Sequence, residues 1–366
     1  MSISENSSVK ISLYQFLLII LAQLGGAIII YLPGVNEAGH DVWISNIFAS
    51  IVAYIVVLSH YLPQSQYQDH SMTKIIKNNW GVFLGAIVNI YYFLFFYFLA
   101  TLIISDVYYF GEITMPETPG SIFIIFFIVP AIYAVKLGLE TIARLIELLI
   151  PATVIVFCGL FILLIPKLDF LNITPIMAEG FRPVFLGAIP NMNFPYAQIL
   201  PIVFLYKNIS LKNSSKSKLL KYMCFSILTA TILLTLRSIA SIAAFDEATL
   251  ITRTFPPFSA IRLIELGDVI ERLDALFLAI FYCVTFMKFI LTYYAMCEIT
   301  SEFFDIKDVK TFALPIGLLC GVSMPLFVPR FDFILTSTVP YFLLSIPLFA
   351  PIPILLYLTI RVRSQI

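Results

Sequence analysis

Residues 17–34, LLIILAQLGGAIIIYLPG, and residues 182–204, RPVFLGAIPNMNFPYAQILPIVF, decide the fold. Each is apolar enough to lie in lipid, yet each carries residues that an unbroken helix resists. In a bilayer every backbone N–H and C=O must find a partner within the protein, so an interruption survives only where it faces protein, water or a ligand. In the first stretch Gly25 and Gly26 are adjacent near mid-depth, where two missing side chains permit unwound dihedrals, and Pro33 closes the run. The same pair would also serve close packing between helices. In the second stretch Pro190, Pro195 and Pro201 each delete a backbone donor and disfavour helical geometry at the preceding residue. Asn191 and Asn193 hold two amides at the same depth. A continuous helix through Pro190–Tyr196 is not expected; a kinked helix with its asparagines bonded to neighbouring helices is the alternative.

Outward from these stretches, 60% apolar and 12% charged residues with a mean hydropathy of +0.97 exclude a water-facing chain. A hydrocarbon core about 30 Å thick needs roughly 20 helical residues to cross. Runs of that length recur ten times, at about 12–34, 43–62, 81–110, 121–137, 144–166, 183–206, 219–245, 273–300, 312–329 and 333–360. The ten spans divide into two sets of five within one integral membrane domain, residues 1–366. Repeat one covers about 12–166 and repeat two about 183–360, so the broken helices are the first of each set. Inverted repeats of this kind hold substrate at their interface near the midplane, where free half-helix N–H groups favour carboxylate and free carbonyls favour ammonium. The expected fold is thus an all-α polytopic membrane protein of ten transmembrane helices in a 5+5 inverted repeat with helices 1 and 6 discontinuous. It looks like the LeuT-like architecture of amino-acid transporters.

Composition excludes several functions. The 22 Lys+Arg balance the 22 Asp+Glu, leaving no basic field to collect nucleic acid. Five cysteines, Cys158, Cys224, Cys283, Cys297 and Cys320, lie in apolar runs without metal-ligand spacing and read as buried, unpaired thiols. His40, His60 and His70 sit at or beyond the ends of apolar runs, and no nucleophile elbow, zinc helix or P-loop occurs. Neither enzymatic activity nor a cofactor or metal is expected.

Cationic short loops stay in the cytoplasm. With the N-terminus inside, Lys10, Lys74, Lys77, Lys136, Arg144, Lys207, the lysines of KNISLKNSSKSKLLK, Lys307, Lys310, Arg361 and Arg363 share that side, against Lys167, Arg182, Arg253, Arg262, Arg272 and Arg330 outside. Both termini are therefore expected in the cytoplasm. The outer connection FDEATLITRTFPPFSAIRLIELGDVIERLDAL between spans seven and eight has an apolar stripe at Ile261, Ile264 and Ile270. Arg262 with Glu265 and Asp268 with Arg272 stand at helical ion-pair spacings. It reads as an interfacial helix over the outer mouth or as a solvated hairpin.

The ligand site expected between the breaks comprises Gln23, Leu24, Gly25 and Gly26 of span one and Asn191, Asn193, Phe194, Tyr196 and Gln198 of span six. Tyr97 and Thr101 of span three and Thr285 of span eight lie near mid-depth and would complete it. A cation at the bilayer centre costs about 2.5–3.5 kcal/mol on insertion scales, so Lys288 in span eight needs a role. It is an ion surrogate or proton carrier near Gly25, or a lysine that snorkels to the headgroups. Arg237 in span seven should pair with an acid, Asp106 or Glu147, or with carbonyls inside the bundle.

The stretch TFPPFSAIRLIELGDVIERLDALFLAIFY at 254–282, followed by Lys288, Tyr293 and Tyr294, resembles the B subunit of bacterial spore nutrient germinant receptors, whose fold is similar to that of amino acid–polyamine–organocation transporters. QLGGAIIIYLPG in span one, GLETIARLIELLIP entering span five and FPYAQILP in span six agree, and the resemblance covers nearly the whole chain. Where the family often has a small residue and an acid after the proline of span six, this chain has Tyr196, Ala197 and Gln198, a neutral amide in place of a carboxylate. The resemblance implies a multi-pass subunit of the spore inner membrane that binds a small germinant, often an amino acid, and acts with an A subunit and a lipoprotein C subunit. A proton-coupled amino-acid transporter, or a water or ion channel opened on germination, would use the same fold.

Overall fold

A computed structural model describes residues 10–67, 70–210, 216–264, 273–306 and 308–365. Among these residues eight helical stretches are long and apolar enough to cross a membrane, and they correspond to the sequence spans other than one and six. The chain is a multi-pass membrane protein.

Span one starts on a capping box. Ser12 accepts from the Gln15 backbone N–H while the Gln15 side chain returns to the Ser12 N–H, which satisfies two of the orphan donors of a helix start. The helix runs Leu13–Gly25 and gives way to a 3-10 turn, Gly26–Ile30. Span six is helical over Phe181–Asn193, breaks at Phe194 and Pro195, and resumes as a 3-10 turn over Tyr196–Ile199 and a short helix, Leu200–Val203. The helix therefore carries Pro190 in its interior and ends three residues later than the expected start of the break.

Span three differs from expectation at its start. Helix runs Met72–Thr114, but Gly81 has φ 79 and ψ 178, a backbone geometry open essentially to glycine alone. Residues 72–80 thereby fold back on the span, and the Asn89 side chain donates to the Thr73 carbonyl at 3.2 Å. The remaining spans are Val42–Ala49 with Ile51–Gln64, Gly120–Leu137, Leu139–Leu164, Lys216–Ala244, Leu273–Phe303, Ala313–Phe327 and a tenth in three pieces, Phe331–Thr336, Thr338–Phe349 and Pro351–Gln365. Span one is packed among spans five, six, seven and eight, and span eight lies along span three.

Among the described residues the outer connection is not one interfacial helix. It forms two short helices, Glu247–Thr252 and Pro256–Ile261, because Pro256 and Pro257 can start a helix but cannot continue one through Arg253–Phe255. Phe255, Phe258 and Ile261 are buried in the bundle rather than laid on its surface. The ion-pair spacings involving Glu265, Asp268 and Arg272, and Ile270 of the stripe, lie outside the described residues.

Candidate functional site

The two interruptions meet. Gln23 of span one donates through Nε2 to the Gln198 carbonyl at 2.7 Å and to Thr292 Oγ1 of span eight at 3.3 Å. Asn191 of span six donates through Nδ2 to the Pro33 carbonyl at 2.6 Å. The rings of Tyr31 and Phe194 stand edge to face at 5.6 Å. Beyond the breaks the segments come close enough that a Cβ on Gly34 would lie 2.1 Å from the Gly187 carbonyl oxygen.

Lys288 lies behind this junction. It is wholly buried, its ammonium donates to Gln198 Oε1, and its Nζ sits 5.0 Å from the centre of the Phe194 ring. The snorkelling alternative does not hold, since the side chain turns into the bundle. Its stem fills the space left by Gly26, where an added Cβ would be 2.1 Å from Lys288 Cδ. Gly26 has φ 25 and ψ −144, so the missing side chain serves both the backbone turn and the passage of the lysine.

A cavity of about 400 Å³ opens from the two breaks toward the face that carries the 247–261 helices, a size within the roughly 300–1,000 Å³ of small-molecule sites. Its wall includes Tyr31, Asn193, Phe194, Gln198, Phe331 and Tyr341, and span three adds Leu99, Leu102, Ile103 and Asp106. Asp106 is buried and accepts from the Tyr31 hydroxyl at 2.8 Å.

Of the residues expected at the site, Asn193, Phe194 and Gln198 line this cavity. Gln23, Gly26, Asn191 and Lys288 build the junction behind it, and Thr285 is buried one turn before Lys288. Five others stand elsewhere or are packed away. Gly25 is helical at φ −64 and ψ −64 and lines a separate apolar crevice with Leu21, Ile29, Phe157 and Val284. Leu24 is buried in the core. Tyr97 points to span nine, where its hydroxyl bonds Ser323, and Thr101 is tied to the Tyr97 carbonyl at 2.9 Å. Tyr196 reaches Asn46 of span two at 3.1 Å and Thr231 of span seven at 3.4 Å. Depth was readable for these side chains; the direction around the helix was not. Asp106 is the site residue that the sequence reading placed only as an ion-pair candidate. An intramembrane carboxylate on one stripe with Leu99, Leu102 and Ile103 was the signal.

Arg237 resolves differently from an acid pair. It is buried and donates through Nη1 to the Ile28 carbonyl at 2.6 Å, so it caps the unwound part of span one. Glu147 instead accepts from Gln15 at 2.9 Å. His60, expected near a span end, is fully buried between the Val56 carbonyl at 2.7 Å and the Tyr92 hydroxyl at 2.9 Å.

On the opposite face of the bundle, ion pairs and a backbone pairing join the ends of the spans. Lys207 contacts Glu298 at 2.7 Å and Glu302 at 2.8 Å. Burial works against the Lys207 charge, yet the two carboxylates hold its ammonium above the ordinary lysine value. Ile11 pairs with Ile209 through two backbone hydrogen bonds, Ile11 N–H to the Asn208 carbonyl and Ser210 N–H to the Ile11 carbonyl.

The chain is similar to two groups of known proteins. Among solved structures, the chain is similar to the nucleobase-cation-symport-1 family transporter Mhp1 in a closed conformation with bromovinylhydantoin bound, with TM-score 0.71, 14% identity, and coverage of 97% of this chain and 81% of that one. It is also similar to MhsT in complex with L-phenylalanine, with TM-score 0.62, 13% identity, and coverage of 95% and 97%. At such identity the likeness is one of fold, and the LeuT-like architecture is thereby shown. Among curated sequences, spore germination protein KB of Bacillus subtilis is 28% identical over 84% of this chain and 83% of its own length. Spore germination protein YndE of the same organism is 26% identical over 97% and 98%. Residues 10–345 match the family described as spore germination protein, the spore permeases. The chain belongs to that spore germination family.

Proposed function

We propose that the chain is the B subunit of a spore nutrient germinant receptor, binding a small nutrient, of which an amino acid is the foremost candidate, between the broken spans and signalling with A and C subunits. The observation that carries this reading is the cavity bounded by both interruptions, with Tyr31 from span one facing Phe194 and Gln198 from span six. A ligand that touches both segments binds one arrangement of the spans better than another and so shifts a two-state equilibrium that bound subunits can read. Membership of the spore germination family supports the placement in the spore inner membrane, and the bias of lysine and arginine supports cytoplasmic termini. The LeuT-like fold also suits a transporter. Reconstitution of the purified chain in proteoliposomes with labelled amino acids separates the two: saturable binding without uptake is expected, and concentrative uptake would overturn the receptor reading in favour of transport.

Lys288 takes the role of an internal ion in this reading, a fixed ammonium between spans one, six and eight. Lys288→Met keeps most of the volume and removes the charge. It should abolish the nutrient response of spores at unchanged protein level, whereas Lys221→Ala, on the exposed face of span seven, should be silent. Equal responses of the two variants would remove the ion role.

A further inference from the structure

Free carbonyls at broken helices can coordinate a cation, and here several of them are already taken. Arg237 holds the Ile28 carbonyl, Asn191 holds that of Pro33, and Gln23 holds that of Gln198. Those three carbonyls are less free to receive a nutrient's ammonium, and an ionised carboxylate is the stronger acceptor for one. Asp106 answers that description. It lines the cavity, is 3% exposed, and receives one hydrogen bond, from Tyr31, with no lysine or arginine in ion-pair contact among the described residues. A carboxylate has two oxygens and accepts more than one hydrogen bond, so a single phenol leaves capacity on the cavity side.

The other charged lining residues, Glu37 and Arg253, are exposed at the mouth and opposite in sign. Lys288 is bonded to Gln198 behind Phe194 and does not line the cavity. The rest of the deep wall is mostly apolar or aromatic, with Leu99, Ile103, Phe194, Phe331 and Tyr341, and its other polar side chains, Asn193, Gln198 and Ser337, are uncharged. Such a wall rewards an apolar body and, among the described residues, leaves Asp106 as its one buried charged side chain.

Resting on the reading of this cavity as the nutrient site, we propose that Asp106 anchors the ligand's ammonium group and that the nutrient is a compact primary amine with an apolar or aromatic body, apolar amino acids included. Tyr31 positions the carboxylate by holding one of its oxygens.

The test uses the purified full chain in lipid nanodiscs and two matched sets of probes: leucine, isoamylamine and isocaproate, and phenylalanine, phenethylamine and hydrocinnamate. In at least one set the amino acid and the amine should bind, and the deaminated acid should bind at least tenfold more weakly. Asp106→Asn should weaken the amine at least tenfold; if that variant does not fold, the comparison of amine with acid on the unaltered chain decides alone. Acid binding equal to that of the amine, and lost in the cavity-filling variant Ile103→Trp, would overturn the Asp106 assignment while keeping the cavity as the site. Binding that survives Ile103→Trp, or no binding by any probe, would overturn the proposal together with the reading on which it rests.

Discussion

Gly26→Ala should abolish the nutrient response and leave the protein in the membrane, while the neighbouring Gly25→Ala should leave both unchanged. At Gly26 the backbone has φ 25 and ψ −144, in a region that L residues avoid at a cost of about 1–3 kcal/mol. The added carbon would also meet the middle of the Lys288 stem at 2.1 Å, and overpacking of this kind costs about 1–3 kcal/mol. Both effects fall on the junction of spans one and eight, so the lysine, its bond to Gln198 and the Phe194 ring must move together. At Gly25 the backbone is helical and nothing lies within 4 Å of an added Cβ, and alanine there gains about 0.5–1 kcal/mol of helix preference. Western blots of spore membranes with dose–response curves for germination read the two variants side by side. A response retained by Gly26→Ala, or lost equally in both, would show that the interruption in span one is not part of recognition.

Arg237→Met should separate stability from function. The arginine is 3% exposed, and a buried cation at the centre of a span costs about 2.5–3.5 kcal/mol on insertion scales. Its hydrogen bond to the Ile28 carbonyl, made by a charged donor, returns about 1.5–3 kcal/mol. These terms nearly cancel, so the variant should reach the membrane at wild-type amounts with little change in melting temperature. The unwound segment loses its cap, however, and Ile28 is left with the Tyr31 N–H at 3.1 Å. Tyr31 carries the Asp106 contact and part of the cavity wall, so the nutrient concentration for half-maximal response should rise at least tenfold. A variant that melts many degrees lower would make Arg237 a stability residue; one with an unchanged response would leave the capping contact without functional weight.

Much of the fold was readable because lipid permits so few backbone solutions. Ten apolar runs separate cleanly, and the two that break do so at Gly25–Gly26 and near Pro195 for reasons local to those residues. What sequence could not settle was direction. Gly25 and Gly26 are alike in composition, but only Gly26 takes a positive φ, because that depends on where Lys288 passes. Tyr97 and Thr101 lie at a suitable depth, yet the stripe holding Leu99 and Asp106 stands about 200° from Tyr97 around a helix of 3.6 residues per turn, and span eight and the cavity lie on the Asp106 side. Three prolines in span six suggested a longer break than the one seen, since Pro190 is accommodated within the helix that ends at Asn193. In the outer connection the rings ahead of the Ile261, Ile264 and Ile270 stripe turn inward, because Phe255 and Phe258 find a ready cluster at Phe110 and Phe281.

A structure of the full chain in lipid, determined with and without a nutrient that triggers the response, tests the central claim most directly. Ligand density between Tyr31, Asp106, Phe194 and Gln198 is the expected result. Density at another site with this cavity unchanged between the two states would contradict it.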